Sequence, residues 1–95
     1  MEHLYIISYD ISDPKRLRRV FRIMKGYGEW LQLSVFQCRL TRMRMVQLES
    51  DLSDAMNQRD DHVLIVDVGP AEEIRPRVRS LGKAFEAVRR EAVIV

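Results

Sequence analysis

Two segments of the chain carry apolar residues at both odd and even positions. They are Leu4–Ile11, with the sequence LYIISYDI, and His62–Val68, with the sequence HVLIVDV. β-Branched and aromatic residues favour an extended backbone, and a strand that is apolar at both parities is typical of a strand buried on both faces. Each segment therefore predicts a strand that needs packing partners on two sides, which limits the folds open to the chain.

Two amphipathic helices are predicted around these strands. The first follows Asp13-Pro14, an N-cap and a first-turn proline, and ends at Gly26–Gly28. The second follows the N-cap Thr41 and extends to about Gln58. Each has one apolar stripe at helical spacing. The stripes consist of Leu17, Val20, Phe21 and Met24 in the first helix, and of Met45, Leu48, Leu52, Ala55 and Met56 in the second.

The other segments predict shorter elements. They are a strand at Trp30–Leu40, a turn at Asn57–Asp61, a short helix at Glu72–Arg75, a strand at Arg77–Lys83 and a closing strand at Glu91–Val95. This order is compatible with an α+β fold, the ferredoxin-like βαββαβ antiparallel sheet with two helices on one face and a short extra C-terminal strand. A chain of 95 residues fits a single domain, residues 1–95.

Two helices cover only one face of such a sheet, whereas the predicted strands need cover on both. A domain of this size buries only about 60–65% of its unfolded surface and is often helped by a partner subunit. A second copy of the chain, packed sheet to sheet about a two-fold axis, is the economical cover. The sequence therefore predicts a homodimer through the open sheet face.

Several classes of protein are excluded by what the sequence lacks. No apolar run approaches the roughly 20 residues that a bilayer crossing needs, so no membrane partner is expected. The N-terminus has no basic n-region or cleavage site, so the expected compartment is the cytoplasm. The single cysteine, Cys38, cannot form an internal disulfide and is interpreted as a buried thiol.

The positive charge of the chain is local. Residues 1–50 hold nine Lys and Arg against five Asp and Glu, whereas residues 51–95 hold seven against nine. Within the first helix, Arg16 and Arg19, with Lys15 and Arg22, lie off the apolar stripe and can face a phosphate backbone. A solvated helix face is the alternative, but such a face normally interleaves both signs and this one has no acid. Nucleic-acid binding is therefore slightly favoured.

Asp10 is the candidate for chemistry because it directly follows a strand that is apolar on both faces. It can act as a turn cap together with Ser12 and Asp13. Alternatively, a two-fold axis through the open face brings Asp10 close to its copy, and two neighbouring carboxylates share a proton or a divalent cation. Mg²⁺ or Mn²⁺ suits such oxygen ligands. Both interpretations stay open.

The aromatic residues and the histidines can also be interpreted as structural residues. Tyr9 and Phe36 could stack on bases, although packing in the core or in an interface is the favoured role for both. His3 and His62 lie in or beside strands, and no nucleophile is placed beside them, so they are interpreted as structural.

The first strand, the arginine-rich helix, the Lys25–Gly28 stop and the segment Leu33–Leu40 (LSVFQCRL) resemble a known family. It is the family of small CRISPR-associated spacer-acquisition proteins, the universal partner of the CRISPR integrase. The likeness extends over the whole chain. Its specific part is Tyr9–Ile11 followed by Ser34–Phe36, whereas the C-terminal third is generic.

The resemblance implies a ferredoxin-like homodimer in which Asp10 of each chain binds Mg²⁺ across the two-fold axis as the catalytic residue. It implies a closing strand, 91–95, that is exchanged with the partner protomer or paired with the integrase. It also places further residues at the metal motif, the basic helix and the Ser-Val-Phe motif. The residues expected to contact nucleic acid are Tyr9, Arg16, Arg18, Arg19, Arg22, Ser34 and Phe36.

Four functions follow as alternatives. The family likeness implies metal-dependent endonuclease activity on single-stranded RNA or double-stranded DNA, and also a scaffold that bridges two integrase dimers in spacer integration. The scaffold is the favoured role, either with Mg²⁺-dependent cleavage or as a purely architectural subunit. A toxin-like endoribonuclease unconnected with spacer integration is a further alternative. A dimer that binds a small effector is disfavoured by the acid-free basic helix.

Overall fold

An antiparallel sheet of four strands and two helices make up the fold in the computed structural model, which describes residues 1–82. The elements are β1 (Glu2–Asp10), α1 (Pro14–Lys25), β2 (Glu29–Gln32), β3 (Val35–Thr41), α2 (Arg42–Ala55), β4 (His62–Pro70) and a 3₁₀ turn (Ala71–Glu73). The strand order is β2-β3-β1-β4, and all neighbours are antiparallel. The predicted ferredoxin-like fold class is confirmed, and the homodimer stays a prediction.

Side-chain caps fix the starts of both helices. The carboxylate of Asp13 accepts a hydrogen bond from the Arg16 N–H at 2.9 Å, and the hydroxyl of Thr41 accepts one from the Arg44 N–H at 3.2 Å. Such caps satisfy backbone donors that have no partner within the helix. α1 ends at Gly26, as the sequence predicts. Within residues 1–82, neither helix has the length and hydropathy required to cross a bilayer.

The prediction of one strand over Trp30–Leu40 is wrong. The segment forms the β2–β3 hairpin, and the chain reverses at Leu33 and Ser34, with a positive φ of 38° at Leu33. The hairpin sets Trp30 opposite Phe36, and the indole N–H of Trp30 donates to the Leu33 carbonyl at 2.9 Å. The segment therefore consists of two strands with a turn between them. The hairpin supplies the strand that completes the split βαβ order.

The predicted end of the second helix at Gln58 is also wrong. The helix ends at Ala55, because Met56 is extended (φ −98°, ψ 163°) and the N–H of Asn57 donates to the carboxylate of Asp61 at 2.8 Å instead of continuing the helix.

Beyond β4 the predicted elements are replaced or lie outside the described residues. The short helix predicted at Glu72–Arg75 is the 3₁₀ turn. The strand predicted at Arg77–Lys83 is wrong for residues 77–82, which are irregular and exposed, and Lys83 lies outside the described residues. Pro76 has no N–H to give to a ladder, which disfavours pairing at this point. The predicted strand Glu91–Val95 lies outside the described residues.

The core lies between the sheet and the two helices. It contains Ile7 and Tyr9 of β1, Phe36 of β3, and the stripes of α1 and α2 that the sequence predicts. Side chains alternate between the faces of a strand, so Ile6 and Leu64 lie on the opposite face. That face is free of helices in the described part of the chain.

Residues 71–74, which follow β4, cover one end of this open face. The Arg39 guanidinium on β3 donates to the carbonyl oxygens of Ala71 at 2.9 Å and Ile74 at 3.3 Å. The segment therefore crosses β1 and buries Leu4, which lies opposite Arg39 in the ladder. The other end carries exposed apolar side chains, among them Leu64 at 52% exposure.

Candidate metal and nucleic-acid site

Asp10 is the last residue of β1 and lies at the end of the open face that residues 71–74 do not cover. Its Cα partner across the β1–β4 ladder is His62, and both residues are exposed. The neighbouring Tyr9 is buried toward the helices, so alternation turns Asp10 to the opposite side. The Asp10 carboxylate forms no hydrogen bond with any residue in the range 1–82. The strand thus presents a carboxylate with its oxygens available.

Tyr9 and Phe36 lie in the core beneath Asp10. They are 4% and 0% exposed, and their rings stack with centroids 6.3 Å apart. Burial raises the pKa of the Tyr9 hydroxyl, whose oxygen has no hydrogen-bond partner among the described residues. Both rings are placed as packing residues, and a contact with nucleic acid stays a prediction.

Ser34 supports the end of β1 through its backbone. Its carbonyl oxygen accepts a hydrogen bond from the Tyr9 N–H at 3.1 Å. The Tyr-Asp-Ile and Ser-Val-Phe motifs, separated in the sequence, are therefore in direct contact in the fold. The motifs meet because β1 and β3 pair, with Ser8 opposite Val35.

The arginines of α1 fall into three environments. Arg19 and Arg22 are exposed and, three positions apart, lie on one side of the helix. Arg18 is half-buried. None of these three side chains forms a hydrogen bond or ion pair with a residue of the described range. They provide positive charge that a polyanion can reach.

Arg16, the remaining predicted arginine, is engaged within the fold. Its Nε donates to the Asp61 carboxylate at 2.7 Å, and its Nη2 donates to the other Asp61 oxygen and to the Ser12 hydroxyl, each at 3.2 Å. The Arg16 side chain is 29% exposed, whereas that of Asp61 is fully buried. A phosphate contact from Arg16 stays a prediction, since its donors are directed at Asp61.

Asp61 was missed by the sequence analysis. Besides Arg16, its carboxylate accepts from the Ser12 N–H at 3.0 Å and from the Asn57 N–H at 2.8 Å. The hydrogen bond from Arg16, reinforced by these backbone donors, lowers the pKa of Asp61 well below its usual range. Asp61 lies in a polar turn beside the exposed Asp60, and nothing local in the sequence separates the two acids.

The residues present fit a hard cation that two chains share. Among residues 1–82, no group of three or more His, Cys, Asp or Glu side chains could hold a metal ion. At this end of the sheet one chain offers the Asp10 carboxylate, whereas two copies would offer two. Mg²⁺ is usually bound through one or two carboxylates and keeps several waters, so an exposed carboxylate pair suits it.

The sequence of the chain is similar to those of known proteins. The model of the family "CRISPR associated protein Cas2" matches residues 2–73. A CRISPR-associated endoribonuclease Cas2 of Geobacter sulfurreducens is 56% identical over 95 residues, with both chains fully covered. A second protein of that name, from Rhodospirillum rubrum, is 54% identical over 94 residues, which cover 99% of this chain and 92% of the relative.

Solved structures share the fold. A hypothetical protein of Thermus thermophilus superposes with a TM-score of 0.75 at 29% identity, covering 90% of this chain and all of the other. Cas2 of Streptococcus pyogenes superposes with a TM-score of 0.71 at 28% identity, covering 83% of this chain and 99% of the other. With a family match over most of its length and close relatives along all of it, the chain belongs to the CRISPR-associated protein Cas2 family.

Proposed function

We propose that the protein is a nucleic-acid-binding homodimer of CRISPR spacer acquisition, which bridges the integrase and holds Mg²⁺ between its two Asp10 carboxylates. Membership of the family supports the role in CRISPR adaptation. The observation that carries the proposal is the position of Asp10, an exposed carboxylate at the end of a sheet face that carries exposed apolar side chains in the described part of the chain.

The dimer is supported by the apolar side chains around Asp10. Leu64 and Val66 of β4 are 52% and 45% exposed, and they lie on the face that no helix of the described chain covers. A two-fold axis through this face buries these side chains against their copies and places each Asp10 near its counterpart. Because two close carboxylates repel unless a cation or proton lies between them, such a dimer favours metal binding.

The basic side of α1 supports nucleic-acid binding. Arg19 and Arg22 are exposed, and the first turn of the helix contains no acidic residue. Their guanidinium groups can neutralise phosphates without reading bases, so this contact fits RNA and DNA alike. The proposed contact is therefore general in sequence and strongly dependent on salt.

Metal-dependent endonuclease activity is the second candidate function. It is favoured by the exposed Asp10 and by the relatives' name, endoribonuclease. When bound, Mg²⁺ would neutralise negative charge on the phosphoryl oxygens and lower the pKa of a coordinated water. The part of this chain is to hold the ion with Asp10 and to hold the phosphate backbone with the α1 arginines.

The substitution Asp10→Asn tests both functions. It keeps the size of the side chain but removes the charged ligand, so Mn²⁺ binding by the dimer and any metal-dependent cleavage of RNA or duplex DNA are expected to be lost. Nucleic-acid and integrase binding are expected to persist, because the substitution leaves the α1 arginines and the predicted closing strand unchanged. The measurements are calorimetric titration with Mn²⁺, cleavage of labelled strands, and co-purification with the integrase.

Asp54→Asn is the matched control, since Asp54 is an exposed acid on α2. It should behave as the wild type in all three measurements. Cleavage that survives in Asp10→Asn would exclude Asp10 as the catalytic residue, and unchanged Mn²⁺ binding would exclude the metal site.

A further inference from the structure

We propose that Asp61 is a positioning residue for Asp10, which it fixes through Ser12 and Arg16. The inference rests on the proposed metal site. It assigns a role to a buried carboxylate that accepts hydrogen bonds from Ser12, Arg16 and Asn57.

The hydrogen bonds of Asp61 lie at the end of the β1–β4 ladder. The last pair of that ladder is Asp10 opposite His62. Asp61 directly precedes His62, and Ser12 follows Asp10 by two positions. The hydrogen bond from the Ser12 N–H to Asp61, at 3.0 Å, thus closes the two strands just beyond the final pair. The hydrogen bond extends the pairing of β1 with β4 past Asp10.

Asp61 also binds the first turn of α1. Arg16 lies in the first turn of this helix and donates twice to Asp61, at 2.7 and 3.2 Å. Asp13 caps the same turn through the Arg16 N–H. One buried carboxylate therefore connects the β1–α1 loop, the helix start and, through Asn57, the turn before β4. The backbone that leaves Asp10 is therefore held at Ser12 by a carboxylate that is itself fixed by Arg16 and Asn57.

The proposed metal site needs such support. Asp10 itself is exposed and has no hydrogen bond to a residue of the described range, so only the backbone and its neighbours set where its carboxylate points. Groups that hydrogen-bond to a metal ligand typically change metal affinity by about 10–100-fold when they are removed. Asp61 does not touch Asp10 and acts on it through the backbone at Ser12, so we expect an effect at the low end of that range.

The experiment compares Mn²⁺ affinity with global stability in the full-length protein. Asp61→Asn keeps the volume but loses the charge that holds Arg16, and it is expected to weaken Mn²⁺ binding by about tenfold. Arg16→Lys, which keeps the charge but not the two-nitrogen contact, is the milder second variant and is expected to show an intermediate loss. Titration calorimetry is carried out at a temperature where each variant is folded.

Leu48→Ala is the stability control, because Leu48 is a fully buried core residue of α2 outside the network. It should lower the melting temperature while leaving Mn²⁺ affinity unchanged. Amide hydrogen exchange provides a readout independent of metal. Exchange at residues 10–13 should accelerate in Asp61→Asn relative to Leu48→Ala, because the first variant loosens the loop selectively.

The outcomes separate this inference from the proposed function. Loss of Mn²⁺ binding in Asp10→Asn together with affinity within twofold of the wild type in Asp61→Asn would overturn the positioning role alone. An equal loss of affinity in Leu48→Ala would overturn it as well, since any destabilisation would then suffice. If the wild type binds no Mn²⁺, or if Asp10→Asn binds it normally, the metal site is wrong and Asp61 has no ligand to position.

Discussion

Asp10 and Asp61 are two aspartates at one end of the sheet whose surroundings give them opposite properties. Asp10 is exposed, whereas the side chain of Asp61 is fully buried and accepts hydrogen bonds from Arg16, Ser12 and Asn57. Burial of a carboxylate is tolerated only with such partners. The same residue type is therefore an exposed carboxylate, open to the proposed cation, in one place and a fixed structural acceptor in the other.

The stability of the protein should fall with acidification through Asp61. Its pKa is lowered in the folded state, so below about pH 4 the unfolded chain takes up the proton first and unfolding becomes more favourable. The stabilisation is present at neutral pH and is lost as the pH falls. Urea unfolding from about pH 5 to about pH 3 should show a steeper decline for the wild type than for Asp61→Asn. Parallel declines would contradict the prediction.

At the scale of elements, the close approach of β2 to β3 depends on Gly28. A Cβ atom there would collide with the Cys38 Sγ and lie 2.5 Å from the Gln37 carbonyl oxygen. Cys38 is itself buried, and burial raises the pKa of its thiol to about 11. No space is left for a side chain where the chain enters the hairpin.

Gly28→Ala is therefore expected to destabilise the protein by about 2 kcal/mol, as is usual when a packed region must accept extra volume. Gly26→Ala is the control, because its Cβ would lie 3.3 Å from the nearest neighbour, the Ile23 carbonyl oxygen, in a helical conformation. Urea unfolding measures both variants. Equal stability of the two would show that the hairpin adjusts at no cost.

The exposed basic face of α1 is a property of a single helix. Replacing Arg19 and Arg22 together by glutamine should weaken nucleic-acid binding for every sequence. The slope of log K against log salt should fall by about one unit for each phosphate that the variant no longer neutralises. Arg42→Gln with Arg59→Gln removes two exposed charges outside α1 and should have less effect. Fluorescence anisotropy across a salt series measures the slope, and an equal decrease in both pairs would indicate a diffuse charge effect.

At the scale of the whole molecule, the two sheet faces have different partners. The helices cover one face, and the segment around Ala71 and Ile74 covers one end of the other. The remaining surface joins exposed apolar residues of β4 to Asp10. Association through this surface would couple metal binding to assembly, since each chain would contribute one ligand.

The proposed dimer can be tested by a substitution on the open sheet face. Leu64→Glu places a charge on the open face and is expected to weaken self-association by about 30-fold or more, the effect of losing a central interface residue. Mn²⁺ affinity should fall with it. Met43→Glu is the control, because Met43 is 74% exposed on α2. Sedimentation velocity measures the association, and a wild-type protein that is monomeric at all concentrations would contradict the proposed dimer.

Local signals in the sequence determined the elements and their caps. Asp13, Thr41 and Gly26 mark helix ends through bonds to residues a few positions away, and the apolar stripes turn both helices toward the sheet. The two strands that are apolar on both faces are the adjacent strands β1 and β4. These features act over short distances, so the sequence carries them without knowledge of the fold.

Tertiary structure alone decided the β2–β3 turn and the environment of Asp61. Leu33 adopts its positive φ although it has no preference for a turn, because pairing of Trp30 with Phe36 closes the hairpin. Asp61 meets Arg16 across 45 positions of sequence, and only the β1–β4 register brings them together. A contact between distant residues depends on strand order and register, and no pattern within a short window encodes either.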